Sequence, residues 1–248
     1  MSKLKKITYT VSGIILLIII WEIVAFATKQ LFLPEFFTCL VLAFQKLGNA
    51  LTWASLGMTF LRLFISLIIS SILGIFVGLL AGYFEPIHKI LRPIISVLKA
   101  FPTIALVLLL AVFVKWFYIY VVIIVCFPII YQAVSDGAST AFKRFELDLR
   151  LNGYYKVNSI TKVVLPLTLP NIVLGFIQTF SLGLKVQLMA EILSYRSNSY
   201  GLGYLVNTAY QNVEYHSMMA YVLLALIISL FIDASLYLLS KKVKEEIL

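Results

Sequence analysis

LFISLIISSILGIFVGLLAGYF, residues 63–84, carries no charge. A helix rises about 1.5 Å per residue and a bilayer's hydrocarbon core is about 30 Å thick, so about 20 apolar residues suffice to cross it. This run is long enough, and it predicts a membrane-spanning helix. Within it Ser66, Ser70, Gly74, Gly78 and Gly82 recur every four residues. On a helix they form one small-residue face, which lets another helix approach closely. Gly74, Gly78 and Gly82 are therefore helix-packing candidates, either inside one subunit or along a subunit interface or moving gate.

The rest of the chain has the same character. Its 248 residues are 62% hydrophobic and 12% charged, with mean hydropathy +1.01. A soluble domain carries about 25% charged residues. Length therefore sets a number of spans rather than the size of a soluble core. Six candidate spans emerge: about 7–27, 61–83, two sharing 94–134 and split near Lys115-Trp116, 171–193 and 217–239. The fold class expected is an all-α integral membrane protein. Its parts are 1–57, a first helix with an outer amphipathic segment after Pro34, and 58–248, a core containing the polar segment 138–170. Lys3, Lys5 and Lys6 before an apolar run resemble a signal peptide, but the run Ile7–Ala27 is span-length, so an uncleaved helix is expected. Cys39 and Cys126 lack metal-ligand or disulfide spacing and read as small hydrophobes. His88 and His216 are isolated, so no metal is expected.

The net charge of +9 does not indicate nucleic acid, because the basic residues gather at the ends of apolar runs. With both termini in the cytoplasm, the inner segments hold Lys3, Lys5, Lys6, Lys89, Arg92, Lys99, Lys143, Arg144, Arg150, Lys156, Lys162, Lys241, Lys242 and Lys244. That bias toward one side is how the positive-inside rule sets orientation. Trp21, Trp53, Trp116 and Tyr204 fall near span ends and read as interfacial anchors.

The orientation puts Leu151–Pro170, LNGYYKVNSITKVVLPLTLP, on the cytoplasmic face. The pattern suggests a helix over about 142–152, a turn at Gly153, a short helix over about 156–164, and a break at Pro166 and Pro170. Such a shape suits docking of a cytoplasmic partner; otherwise it is a basic loop held by lipid headgroups.

The segment resembles the cytoplasmic loop of permease subunits of binding-protein-dependent ABC importers, in which Glu-Ala-Ala precedes a glycine and then Leu-Pro. Gly153 and Leu165-Pro166 have the family spacing, the proline thirteen residues after the glycine. The Glu-Ala-Ala position holds Leu147-Asp148-Leu149, a departure. Further matches resemble the branch that serves nitrate, sulfonates such as taurine, and pyrimidine precursors of thiamine. They are Leu33-Pro34, Thr59-Phe60-Leu61-Arg62, Lys99-Ala100-Phe101-Pro102, Phe127-Pro128, Ala190-Glu191 and Gly201-Leu202-Gly203-Tyr204-Leu205. Lys115-Trp116-Phe117-Tyr118 replaces that branch's glycine-containing outer turn.

The resemblance implies a type I ABC importer permease fold. It also implies a second permease copy, two separate ATPase subunits, an extracytoplasmic substrate-binding protein and a lipid bilayer around them. Asp148, Gly153, Tyr154, Leu165 and Pro166 would couple to the ATPase, whose closure on ATP swings the helices outward. The chain has no G-x-x-x-x-G-K-[ST] loop, so no cofactor is expected in it and ATP belongs to the partner.

Ionisable residues inside spans are functional candidates by default. Lys185 and Glu191 in span five are the substrate-path candidates. Lys185 either faces a pore, where it favours an anion, or pairs with a carboxylate such as Asp233. Glu191 either faces the pore or holds the outer gate. Arg62 is expected to snorkel to the outer interface, and Glu22 to lie near the outer end of span one. A membrane-embedded enzyme is disfavoured because no paired carboxylates, H-E-x-x-H helix or nucleophile with a base is present. The remaining alternatives are a channel or secondary transporter without an ATPase, and a non-pore partner in a heterodimeric permease.

Overall fold

The computed structural model describes residues 3–28, 33–151, 158, 160–194 and 200–247, the side chains of 3–7, 10, 149–150 and 242–247 excepted. The described residues are helical apart from short connections, and none of them forms a strand. In order they form α1 (Lys3–Ala27), α2 (Phe36–Leu47), α3 (Ala50–Tyr83), α4 (Glu85–Ala100), α5 (Thr103–Phe113) and α6 (Phe117–Leu151). A π-turn (Ile160–Val164) then leads into α7 (Leu165–Ile192), α8 (Leu202–Gln211) and α9 (Tyr215–Ile247).

Among the described residues four helices are long and apolar enough to cross a membrane: Ala50–Tyr83, Phe117–Asp148, Ile160–Ile192 and Tyr215–Lys241. The pair α4 and α5 makes a fifth span only if counted together, and it is bent by 91°. The expected third span is therefore not a straight rod. Pro102 lacks an N–H and crowds the preceding residue out of the helical region. Phe101 accordingly takes ψ 126° and ends α4. The split near Lys115-Trp116 does fall between α5 and α6.

Two boundaries differ from the sequence expectation. Span two was expected from Leu61, but α3 begins at Ala50, where Asn49 caps it by accepting from the Leu51 N–H at 2.9 Å. Thr52, Ser55, Thr59 and Arg62 dilute the apolar signal there, yet all four are buried inside the helix bundle. At the other end of the molecule Pro166 and Pro170 do not break a helix. Pro166 lies in the first turn of α7, where its missing N–H costs little, and Pro170 lies inside the same helix. The π-turn runs straight into it.

Helices α3 and α6 pair along most of their length. A Cβ on Gly78 would lie 2.9 Å from Val134 Cβ, and one on Gly82 only 2.5 Å from Ala138 Cβ and 2.7 Å from the Ser135 carbonyl. The small-residue face thus meets α6 of the same chain. The core around Leu63, Leu67, Val107, Val121, Val122 and Leu184 joins α3, α5, α6 and α7. A second cluster, including Leu56, Leu205, Ala220 and Leu224, ties α8 and α9 to α3 at the end we call the far end. A third, including Leu79, Val134, Ile160 and Val164, closes the opposite, loop end. Helix α1 is fastened to α2: Trp21 Nε1 donates to the Pro34 carbonyl at 2.9 Å, and Glu22 accepts from the Phe36 N–H at 3.1 Å.

Candidate functional site

Glu191 lies in the last turn of α7 and is 2% exposed. Its carboxylate accepts from four donors on three helices. Oε1 takes Arg62 Nη1 at 3.0 Å and Gln187 Nε2 at 2.9 Å; Oε2 takes Thr59 Oγ1 at 2.8 Å and the Gly203 N–H at 3.2 Å. The Leu202 N–H donates to Thr59 Oγ1 at 2.8 Å. A carboxylate so supplied is stable in a dry interior, because paired and hydrogen-bonded charge offsets its desolvation. Arg62 does not snorkel. It is 5% exposed, and its guanidinium also stacks over Tyr118 with 4.3 Å from Cζ to the ring centroid. The reason is that Glu191 offers a fixed counter-charge within the bundle, which a lone arginine would have to seek in the headgroups.

The glycines of Gly201-Leu202-Gly203 follow from this contact. A Cβ on Gly201 would lie 2.6 Å from Glu191 Oε2, and one on Gly203 2.6 Å from the Leu188 carbonyl. The start of α8 thus rests directly on the carboxylate. Three segments that looked separate in sequence, Thr59–Arg62, Ala190-Glu191 and Gly201–Leu205, meet as one polar clasp at the far end.

Lys185 has a different setting. Its side chain is 56% exposed, and Nζ lies 3.2 Å from Asp233 Oδ2 on α9, itself 34% exposed. Ser181 Oγ accepts from the same ammonium at 3.4 Å. The two neighbours of Lys185 along the chain, Leu184 and Val186, are buried, so Lys185 is on the outward side of α7. Gln178 is exposed as well, and Asn171 and Ser181 are half-buried. Seven residues make about two turns, so Asn171, Gln178 and Lys185 line up along one face with Ser181 beside them. The sequence reading singled out Lys185 and missed this stripe, although its seven-residue spacing is visible in the sequence. A charge facing lipid at mid-helix costs about 2.5–3.5 kcal/mol on insertion scales, so such a stripe faces water or protein.

At the loop end, Asp148 lies exposed in the last turns of α6, and Leu165 and Pro166 open α7. Gly153 and Tyr154 lie outside the described residues. A polar cleft of about 420 Å³ opens nearby between the end of α3, the start of α4 and α6. Within its charged lining Glu85 pairs with Lys89 at 2.9 Å, and the Asp136 carboxylate accepts from Gln132 Nε2. Among the described residues no group of His, Cys, Asp or Glu is placed to hold a metal ion.

Long apolar helices, a helix pair bent at a proline, and a buried charged clasp tying three helices together define a multi-pass membrane permease. The chain belongs to the family of binding-protein-dependent transport system inner membrane components, whose profile matches residues 70–245. Its fold is similar to the inward-facing MetNI methionine ABC transporter in the CY5 SeMet soak crystal form. That match has TM-score 0.66 and 18% identity, and covers 78% of this chain and 96% of that one. The CY5 native crystal form gives TM-score 0.59 at 18% identity, with 77% and 94% covered. No curated protein sequence matches the chain. Family and fold together make it the permease component of an ABC importer with the type I fold, and membership implies an ATPase and a substrate-binding protein as partners.

Proposed function

We propose that this chain pairs with a second copy of itself to form the path of an ATP-driven importer in the cytoplasmic membrane, with both termini in the cytoplasm. A small polar nutrient crosses by alternating access. The candidates carried over from the motif resemblance are nitrate, a sulfonate or a pyrimidine precursor of thiamine. Asp148, Gly153, Tyr154, Leu165 and Pro166 dock on the ATPase, which alone uses ATP. Lys185 lines the path, and Glu191 holds the outer end of α7 to α3 and α8.

The observation that carries this reading is the exposed polar pair Gln178 and Lys185 on a helix long enough to cross the membrane. It is out of place against lipid and suited to the wall of a wetted path between two copies. The clasp supports the role of Glu191, since it ties the far end of the same helix to its neighbours.

The test is co-purification from gently solubilised membranes, with and without Gly153→Trp. An ATP-hydrolysing subunit should accompany the wild-type chain and be lost from the variant, while the variant still reaches the membrane. An ATPase that binds both equally refutes the assigned docking residues. Absence of any ATPase favours a transporter that works without one.

A further inference from the structure

Lys46 lies half-buried in the last turn of α2, with its ammonium 5.2 Å from the centroid of the Tyr221 ring on α9. Among the described residues no carboxylate pairs with it. A lysine's long stem lets its charge reach out to water, but this one is drawn in over the ring. Its depth follows from α9. The spanning segment Tyr215–Lys241 is about 40 Å long at about 1.5 Å per residue, which matches a bilayer with its headgroup layers. Tyr221 is about 9 Å below the start of that segment, where headgroups give way to hydrocarbon. Trp53, an exposed side chain, donates its indole N–H to the Leu47 carbonyl at 2.7 Å and marks the same level.

Directly below the ammonium an apolar groove of about 80 Å³ opens between α2 and α9, lined by Ala43, Phe44, Leu47, Leu224, Ile227 and Ile228. Leu224 and Ile228 are about one and two turns beyond Tyr221, so the groove runs from the charge toward the middle of the bilayer. It is far smaller than the about 300 Å³ of a small-molecule pocket, and no polar side chain lines it. What it fits is a stretch of flexible hydrocarbon. Lipid tails are as apolar as leucine, so the groove by itself does not choose among lipids. The charge at its mouth does. An anionic headgroup neutralises Lys46, whereas a zwitterionic headgroup brings a cation of its own beside it.

We propose that Lys46, Tyr221 and the α2–α9 groove form a binding site for one anionic phospholipid of the far-end leaflet. Its phosphate sits on the Lys46 ammonium, and one acyl chain lies along Phe44, Ile227 and Ile228. A phospholipid joins an anion to hydrocarbon in one molecule, so a single occupant meets both features. Bound there, it bridges α9 and α2, to which α1 is fastened.

The test places p-benzoylphenylalanine at position 227 of the full-length chain. The protein is purified with its bound subunits into nanodiscs of equal parts palmitoyl-oleoyl phosphatidylglycerol and phosphatidylcholine. After irradiation, mass spectrometry of the photoadducts reads what fills the groove. Phosphatidylglycerol adducts should outnumber phosphatidylcholine adducts about fivefold, the effect of one lysine at a membrane surface. The preference should disappear in Lys46→Gln and persist in Lys46→Arg. Adducts to a second copy of the chain or to another subunit in place of lipid would overturn the site. So would equal labelling of the two lipids by the chain with Lys46 intact, or a preference that survives Lys46→Gln.

Discussion

Removing the Glu191 side chain should be among the most damaging single changes in the chain, and the structure says why. In Glu191→Ala the Arg62 guanidinium keeps its Tyr118 ring contact but loses its counter-charge while 5% exposed. A buried charge left without its partner costs about 3–5 kcal/mol. Gln187 Nε2, Thr59 Oγ1 and the Gly203 N–H lose an acceptor as well, at about 1 kcal/mol each where water does not replace it. The expected cost of Glu191→Ala is therefore about 5 kcal/mol. Arg62→Ala should cost about 3 kcal/mol, because the carboxylate retains three donors and can take up a proton, while the cation–π contact, about 1 kcal/mol, is lost. In the double variant no lone charge remains, so its cost should fall about 3 kcal/mol short of the sum of the singles. The assay is equilibrium unfolding by SDS titration in mixed micelles, followed by helical circular dichroism. Hydrogen exchange over residues 202–211 should also rise first in Glu191→Ala, since the start of α8 rests on the carboxylate. Additivity of the two single changes within about 0.5 kcal/mol, with α8 unaffected, would refute the clasp as a coupled unit.

Gly82→Ala forces a Cβ to 2.5 Å from Ala138 Cβ and should destabilise by about 1–3 kcal/mol in the same titration; Ala138→Gly should restore only part, because the Ser135 carbonyl remains in the way. Pro102→Ala should reduce the 91° bend between α4 and α5, lengthening the spin-label distance between positions 90 and 112 by pulsed EPR; an unchanged distance would mean that packing alone sets the bend. Burial, and then the nearby Glu22 charge, push the Cys39 thiol above its ordinary value. Because the thiolate is the reactive form, a membrane-permeable maleimide should label Cys39 far more slowly at pH 7 than an exposed thiol and speed up only well into the alkaline range; rapid labelling at neutral pH, read by mass spectrometry, would contradict its buried placement on α2.

The spans were legible wherever hydropathy and helix periodicity act alone. Leu63–Phe84 needed no partner to be recognised, and its glycine face announced a close helix contact without saying which helix supplies it. Arg62 was misread because sequence distance hides its counter-charge, which lies more than a hundred positions away on α7. A buried charge is acceptable or prohibitive according to that partner. The bend at Pro102 was present in the sequence as a proline after Phe101, but hydropathy averages over it. The early start of α3 was hidden in the same way, since Thr52, Ser55 and Thr59 look like exposed polar residues until the bundle buries them. The polar stripe on α7 was legible in its spacing of seven, yet no sequence pattern states which face of a helix the rest of the bundle leaves open.

Local composition by itself determined that this is a helical membrane protein, which runs are apolar enough to span, and where glycine and proline punctuate them. Those properties depend on transfer free energy and backbone sterics, which act residue by residue. Tertiary structure alone decided that Thr59, Arg62, Gln187, Glu191 and Gly203 form one closed clasp, while Lys185 and Asp233 meet on an open face. Hydrogen-bond and charge energies turn on ångström-scale distances between groups far apart in the chain. One acidic side chain in α7 is therefore a buried anchor, and the lysine on the same helix is a contact presented to whatever fills the space beyond it.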